Sequence, residues 1–143
     1  MKILIMGLPG SGKTTLAYHL TNQLPLSVWY NADAVRSSCN DWDFSEEGRI
    51  RQAKRMTDLA NETLKVGTKY VKYVICDFVA PTQEIRDIFD ANYTIWIDTI
   101  RESEFSDTNK VFEPPSFYDL RIEEQDAKMW SKVIYESIIN INR

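Results

Sequence analysis

Histidine is nearly missing from this 143-residue chain: His19 is the only one, and no Cys, Asp or Glu stands at ligand spacing from it. That sets aside a histidine-based metal centre, and His19 reads as a surface or packing residue of a helix. Cysteine is scarce too. Cys39 and Cys76 lie far apart without metal spacing, and Cys76 sits inside an apolar run, so both read as reduced structural thiols. No apolar stretch approaches the roughly 20 residues that cross a bilayer, and the first residues already form a core strand, which leaves no room for a secretory signal. The expectation is a cytoplasmic protein with no membrane partner. Positive charge is also in short supply, 17 Lys and Arg against 21 Asp and Glu, for a net charge of -4. A broad basic surface that captures nucleic acid by phosphate neutralisation is not expected. Neither repeat, linker nor low-complexity tract divides the sequence, so residues 1–143 read as one domain.

Glycine is sparse as well, but three of the five glycines fall in one six-residue stretch. A buried-type strand (Ile3, Leu4, Ile5, Met6) runs directly into Gly7-Leu8-Pro9-Gly10-Ser11-Gly12-Lys13-Thr14-Thr15. This fits G-x-x-x-x-G-K-[ST], in which backbone N–H groups turn inward around a phosphate through conformations that a Cβ obstructs. Residues 7–15 are therefore expected to bind ATP. Lys13 would reach the β- and γ-phosphates, Thr14 would offer its hydroxyl to Mg²⁺, and a helix starting near Lys13 would aim its positive end at the same phosphates. Strand before and helix after are the context that separates this motif from a chance glycine-rich turn.

Beyond the loop, strand and helix patterns alternate. Leu16, Leu20 and Leu24 mark one helix face, ended by Pro25; Leu26 to Tyr30 is a short strand. Asn31-Ala32-Asp33-Ala34-Val35-Arg36 follows at the carboxyl end of that strand, where open α/β sheets collect ligands. Asp33 reads either as the carboxylate that takes a proton from an acceptor hydroxyl and orients the Mg²⁺ shell, or as the N-cap of a helix starting at Ala34. The first reading is preferred because a cap does not explain Arg36, which could grip an anionic group of the acceptor. Phe44 to Val66 is the longest helical pattern, capped by Ser45 and stopped by Gly67. Arg51 and Lys54 read as its solvated face, whereas Arg49 in the first turn can face the ligand edge. Val71 to Phe78 is a buried strand ending in Asp77, placed as a Walker-B carboxylate beside Mg²⁺ or as a turn residue. Pro81 to Asp90 is a short helix and Tyr93 to Asp98 the next strand. Residues 99–116, with Arg101, Phe105, Lys110 and Phe112 in a polar stretch, are too long for an ordinary connection and read as a lid that excludes water from the γ-phosphate or as a disordered tail segment, the lid being preferred. Phe117 to Ile122 is a last strand, and Asp126 to Ile141 a closing helix with an apolar stripe. The fold class predicted is α/β, a P-loop NTPase of the nucleoside-kinase-like type: a three-layer sandwich around a five-stranded parallel sheet.

Gly7 to Leu16, Ala32 to Arg36 with Asn40, Phe44-Ser45 and Arg49, and the apolar strand leading to Ala80-Pro81 together resemble adenylylsulfate kinases in content and order. The resemblance covers roughly the first 100 residues. It implies transfer of the γ-phosphate of ATP to the 3′-hydroxyl of adenosine 5′-phosphosulfate, with Asp33 as the acid/base carboxylate. It further implies that Arg36, Asn40 and Arg49 bind the acceptor and that Phe44 stacks on its adenine. Departures from the family pattern are Ala32 and Ala34 around Asp33, Gln52 where an Asn contacts the acceptor, Ala80 where a Ser precedes the Pro, and a lid missing as such. Thr108 to Phe112 reads as a shortened substitute, with Lys110 near the phosphates and Phe112 on a base. The partner expected is a small-molecule nucleotide acceptor, and a homodimer stays open. A polynucleotide 5′-hydroxyl kinase, which shares the Asn-x-Asp-x-x-Arg segment, and a non-catalytic ATP-binding protein are the competing readings.

Overall fold

The computed structural model describes residues 1–141. Strands β1 (Lys2–Met6), β2 (Ser27–Asn31), β3 (Tyr73–Asp77), β4 (Tyr93–Ile97) and β5 (Leu120–Ile122) form one sheet in the order β2-β3-β1-β4-β5, every neighbouring pair parallel. Helices α1 (Lys13–Gln23), α2 (Ala32–Cys39), α3 (Glu46–Leu64), α4 (Gln83–Phe89), α5 (Ser106–Val111) and α6 (Ala127–Ile141) complete the described residues.

The central strands are apolar at successive positions because both of their faces are covered. Ile3 and Ile5 point to a core closed by Leu16 and Leu20 of α1 and Ile134 and Ile138 of α6. Leu4 and Met6 point the other way, to Ala53, Met56 and Ala60 of α3 and Ile85 and Phe89 of α4. Strand β3 splits in the same manner, Tyr73 and Ile75 to the first core, Val74 and Cys76 to the second. The thiol of Cys76 is buried and pushed up to about 12, chiefly by desolvation, which matches the structural role expected for it. Each fully buried Ile or Leu contributes about 1.5–3 kcal/mol, so the two cores together fix the sheet.

The boundaries that moved have local causes. Ser45 does cap the long helix, its Oγ accepting from the Gly48 amide, and that helix begins at Glu46 rather than Phe44. The last strand is half the expected length. Instead of pairing as strand, Asp119 bonds the edge of β4 twice: its Oδ2 accepts from the Thr94 amide at 2.7 Å, and its own amide donates to the Thr94 carbonyl at 2.9 Å.

Residues 99–116 contain α5 and are pinned at both ends. Thr99 Oγ1 donates to the Ser11 carbonyl at 2.7 Å. At the other end the buried guanidinium of Arg86 donates to the carbonyls of Ala80, Pro81 and Glu113, with the Phe112 ring 5.5 Å away. Desolvation brings Arg86 down to about 10 against the pull of Glu113, and the three carbonyls accept its buried N–H groups. Removing one partner from such a buried set leaves acceptors unsatisfied. Arg86→Met is expected to lower unfolding stability by about 3 kcal/mol in a urea titration and to speed amide exchange in residues 112–116. An unchanged urea midpoint would show that the anchor carries no weight.

Candidate active site

Parallel register brings three chain segments to one edge of the sheet. Asp77 lies opposite Ile5 of β1 and opposite Asn31 of β2, so the ends of β1, β2 and β3 deliver the glycine-rich loop, Asn31 and Asp77 to the same place. In the loop, Gly10 and Gly12 have φ of 83° and 106°, and Gly12 is the residue before α1. A Cβ on Gly7 would lie 2.5 Å from the Ile97 carbonyl oxygen, so no other residue fits. Ser11 Oγ is fully buried with no hydrogen-bond partner among the described residues.

Asn31 is the junction of the site. Its Oδ1 accepts from the Ala34 amide at 2.9 Å and so caps α2. Its Nδ2 donates to Thr14 Oγ1 at 3.1 Å and to both oxygens of Asp77 at 3.2 Å. Trp29 Nε1 adds a donor to Asp77 Oδ2 at 2.6 Å, and Thr14 Oγ1 lies 3.5 Å from Asp77 Oδ1. Burial pushes the Asp77 carboxyl up, while the Trp29 and Asn31 donors and Lys13 oppose that shift. The N-cap role that was the alternative reading of Asp33 thus belongs to Asn31. Asp33 sits in the first turn of α2 with its side chain exposed, facing the same cleft as Lys13 and Thr14.

That cleft has a volume of about 770 Å³. It is lined by the loop with Lys13, Thr14 and Thr15, by Asp33 and Asp77, and by a wall of Trp42, Phe44, Arg49, Phe105, Asp107 and Thr108. Lys13 Nζ is parked on the Leu8 carbonyl at 3.0 Å. Its ammonium is brought down to about 8, first by desolvation, against the pull of Asp77 and Asp33. A second hollow of about 160 Å³ adjoins Gly12 and Thr15 on the other side, floored by Ile97, Ile122 and Ala127 and rimmed by Gln125 and Asp126.

Several of the expected acceptor residues stand elsewhere. Arg36 is buried; its Nη1 donates to the carbonyls of Asp41 and Asp43 at 2.9 and 3.1 Å, and its guanidinium covers the Phe44 ring at 4.4 Å. Asn40 ends α2 in the left-handed conformation, φ 49°. Gln52 is buried and donates to the Ala32 carbonyl at 3.1 Å while Arg55 donates to its Oε1, an internal tie between α2 and α3. Lys110 and Phe112 are not on the cleft, and Phe112 packs on the second core beside Arg86. Arg51 is exposed as expected, and it also pairs with Asp41 and Asp43. Arg49 does reach the cleft, donating to the Phe44 carbonyl at 2.8 Å and to Thr108 Oγ1 at 3.1 Å. Sequence reasoning missed Trp42 and Asp107, and placed Phe105 and Thr108 only within a lid segment. An aromatic stranded in a polar loop, as Trp42 is between two aspartates and Phe105 between Glu104 and Ser106, was the available signal.

A phosphate cradle on a β2-β3-β1-β4-β5 parallel sheet, with a carboxylate at the end of the strand next to it, defines a P-loop kinase, and the solved structures agree. An adenylylsulfate kinase of Mycobacterium tuberculosis, CysC, in complex with AMPPNP and APS, superposes with a TM-score of 0.77 at 18% identity, over 96% of this chain and 96% of that one. Shikimate kinase of Aquifex aeolicus vf5 gives 0.66 at 18% identity, over 99% and 98%. The hexameric adenylylsulfate kinase of Thiobacillus denitrificans gives 0.70 at 21% identity, over 97% of this chain and 29% of that one. No curated protein sequence matches the chain. The family profile of adenylylsulphate kinase matches residues 1–121, and the chain belongs to that family. It is thus a P-loop phosphotransferase. Among the described residues no helix is long and apolar enough to cross a membrane.

Lys13 carries a pH signature. Its folded value, about 8, lies below its ordinary 10.5, so the unfolded chain binds the extra proton between those limits. Stability from this group is full above the unfolded value and lost as pH falls through the folded one. The free energy of unfolding of the wild type minus that of Lys13→Met is expected to rise from pH 8 to pH 10. A flat difference would mean that the ammonium is not desolvated.

Proposed function

We propose that the protein transfers the γ-phosphate of Mg-ATP to the 3′-hydroxyl of adenosine 5′-phosphosulfate, with Asp33 as the acid/base carboxylate and Lys13 as the cation on the transferred group. The observation that supports this most is the freedom of Asp33: Asn31 caps α2, leaving the Asp33 carboxylate on the cleft with Lys13 and Thr14. Phosphoryl transfer needs alignment and charge stabilisation more than covalent chemistry, and these residues are of the right kinds.

The triphosphate would lie in the amides of residues 7–15, at the N-terminus of α1. Ser11 Oγ, buried and unpartnered, is an atom that such a ligand's shell could satisfy. The nucleoside would occupy the smaller hollow beside Gly12 and Thr15, whose floor is apolar and whose rim is polar. Among the described residues no cluster of three acidic, histidine or cysteine side chains could hold a metal alone. Mg²⁺ is commonly held by one or two carboxylates together with substrate phosphates, and Thr14, Asp33 and Asp77 fit that pattern. When bound, Mg²⁺ would neutralise charge developing on the phosphate oxygens.

Asp33 would accept the proton of the attacking hydroxyl, and Lys13 would leave the Leu8 carbonyl for the phosphates. Arg49 and Phe44 would hold the acceptor, and residues 99–116 would serve as the lid, Phe105 entering the cleft from that segment. An oligonucleotide acceptor is less well supported: the cleft presents Asp33, Asp77 and Asp107 against Lys13 and Arg49, too few cations for a strand of phosphates.

Incubation with γ-labelled ATP and, in separate tubes, adenosine 5′-phosphosulfate or a 5′-hydroxyl oligonucleotide separates the readings. Label in the sulfonucleotide alone is expected, and label only in the oligonucleotide would replace this proposal. Asp33→Asn is expected to cut kcat by about 10²–10⁴-fold with ATP affinity changed by less than about twofold. An unaffected kcat would remove the acid/base assignment.

A further inference from the structure

The loop between α2 and α3, residues 40–45, brings two large aromatics to the wall of the cleft, yet burial does not hold them there. Trp42 and Phe44 remain 49% and 46% exposed. Leaving that much apolar surface in water is unfavourable, and an untied loop would be free to fold it elsewhere. Something else fixes the loop.

What fixes it is Asp41. Arg51 of α3 grips its carboxylate with two nitrogens, Nε to Oδ2 at 2.8 Å and Nη2 to Oδ1 at 3.1 Å. Arg55, one turn on, adds Nη2 to Oδ2 at 2.8 Å. From the other helix, the Arg36 carbonyl accepts the Asp41 amide at 3.0 Å, and the Arg36 guanidinium donates to the Asp41 carbonyl. The Asp41 carboxylate then accepts the Asp43 amide at 3.2 Å, and Asp43 Oδ1 accepts the Ser45 amide at 2.9 Å, so the turn is tied residue by residue across Trp42 and Phe44. The Arg51 and Arg55 donors hold the Asp41 carboxyl well below the usual carboxylate range. Single exposed ion pairs contribute little, but a two-pronged arginine within a network is the exception.

We propose that Asp41 is a positioning residue for the acceptor: by clamping two arginines of α3 onto the loop, beside the backbone contacts that Arg36 makes from α2, its carboxylate holds Trp42 and Phe44 ready on the cleft wall. Arg36 covers the Phe44 ring at 4.4 Å, and Trp42, about as exposed as Phe44, joins it as an aromatic platform for the planar part of the acceptor. This rests on the proposed acceptor site, and deepens it. A wall ordered in advance spares the ordering cost on binding, so the clamp acts on acceptor affinity and not on the transfer step.

The test compares wild type, Asp41→Ala, Asp41→Glu and Trp42→Ala, with hydrogen exchange of residues 40–48 measured beside the labelled transfer to adenosine 5′-phosphosulfate. Asp41→Ala is expected to speed exchange of the Asp43 and Ser45 amides at least about tenfold. It should also raise the acceptor KM about tenfold, with kcat and the KM for ATP within about twofold. Asp41→Glu should recover part of both, and Trp42→Ala should raise the acceptor KM without faster exchange. Faster exchange with an unchanged acceptor KM would reduce Asp41 to a structural tie, and unchanged exchange would overturn the clamp itself. If Asp41→Ala does not fold, Arg51→Lys and Arg55→Lys carry the same two readouts. If wild-type protein labels no acceptor, the functional reading fails; the clamp is then judged by exchange and by calorimetric binding of adenosine 5′-phosphosulfate to wild type and Asp41→Glu.

Discussion

The amide of Asn31 is the interaction on which the site depends. It spends its oxygen on the first turn of α2 and its two N–H groups on Thr14 and Asp77, so one side chain at the end of β2 joins the phosphate loop, the strand-end carboxylate and the helix that carries Asp33. Only the cap is local in sequence: the two acceptors of its N–H groups are 17 and 46 residues away. It exists because parallel pairing places Asn31 opposite Asp77, and Asp77 opposite Ile5, at the edge where the loop begins. The amide suits this job better than a carboxylate, since it donates to a buried Asp77 that burial alone would push toward the neutral form.

Around this junction the chain deploys its few cations inward. Arg36 and Arg55 bind loop 40–45, Arg86 anchors the Ala80–Pro81 turn to Glu113, and Arg49 joins Phe44 to α5 through Thr108. Each arginine ties a loop segment to another part of the chain, which is how loops on a ligand edge become ordered without burial. The result is a cleft whose wall is aromatic and whose charge is concentrated on Lys13, Arg49 and three aspartates.

The fold was legible because its signals are periodic or local. Continuous apolar strands, helical stripes between them and a glycine-rich turn specified the parallel sheet, and Ser45 as cap was readable from Ser45-Glu46-Glu47 alone. At the site, the phosphate loop, Asp33, Arg49, Phe44 and Asp77 are on one cleft as a strand-end reading suggests. Gln52 and Phe112 were harder, because their direction is decided by partners distant in sequence, the Ala32 carbonyl and the buried Arg86, and Arg36 because it turns to backbone carbonyls of a non-periodic loop. Lys110 and Phe112 also depend on where α5 sits, and a six-residue helix has too short a pattern to reveal its inward face. Trp42 and Phe105 lie in polar stretches with no period, so sequence marks them only as aromatics out of place.

The central claim is that Asp33, released from capping by Asn31, meets the acceptor hydroxyl in line with the phosphate held on the loop. A crystal structure with ADP, Mg²⁺ and adenosine 5′-phosphosulfate measures this directly. The account predicts an Asp33 oxygen about 2.6–3.2 Å from the 3′-hydroxyl, with that hydroxyl aligned on the β-phosphate side of the cleft. An acceptor bound with its hydroxyl away from Asp33, or an Asp33 carboxylate turned to solvent while both nucleotides are in place, would contradict it.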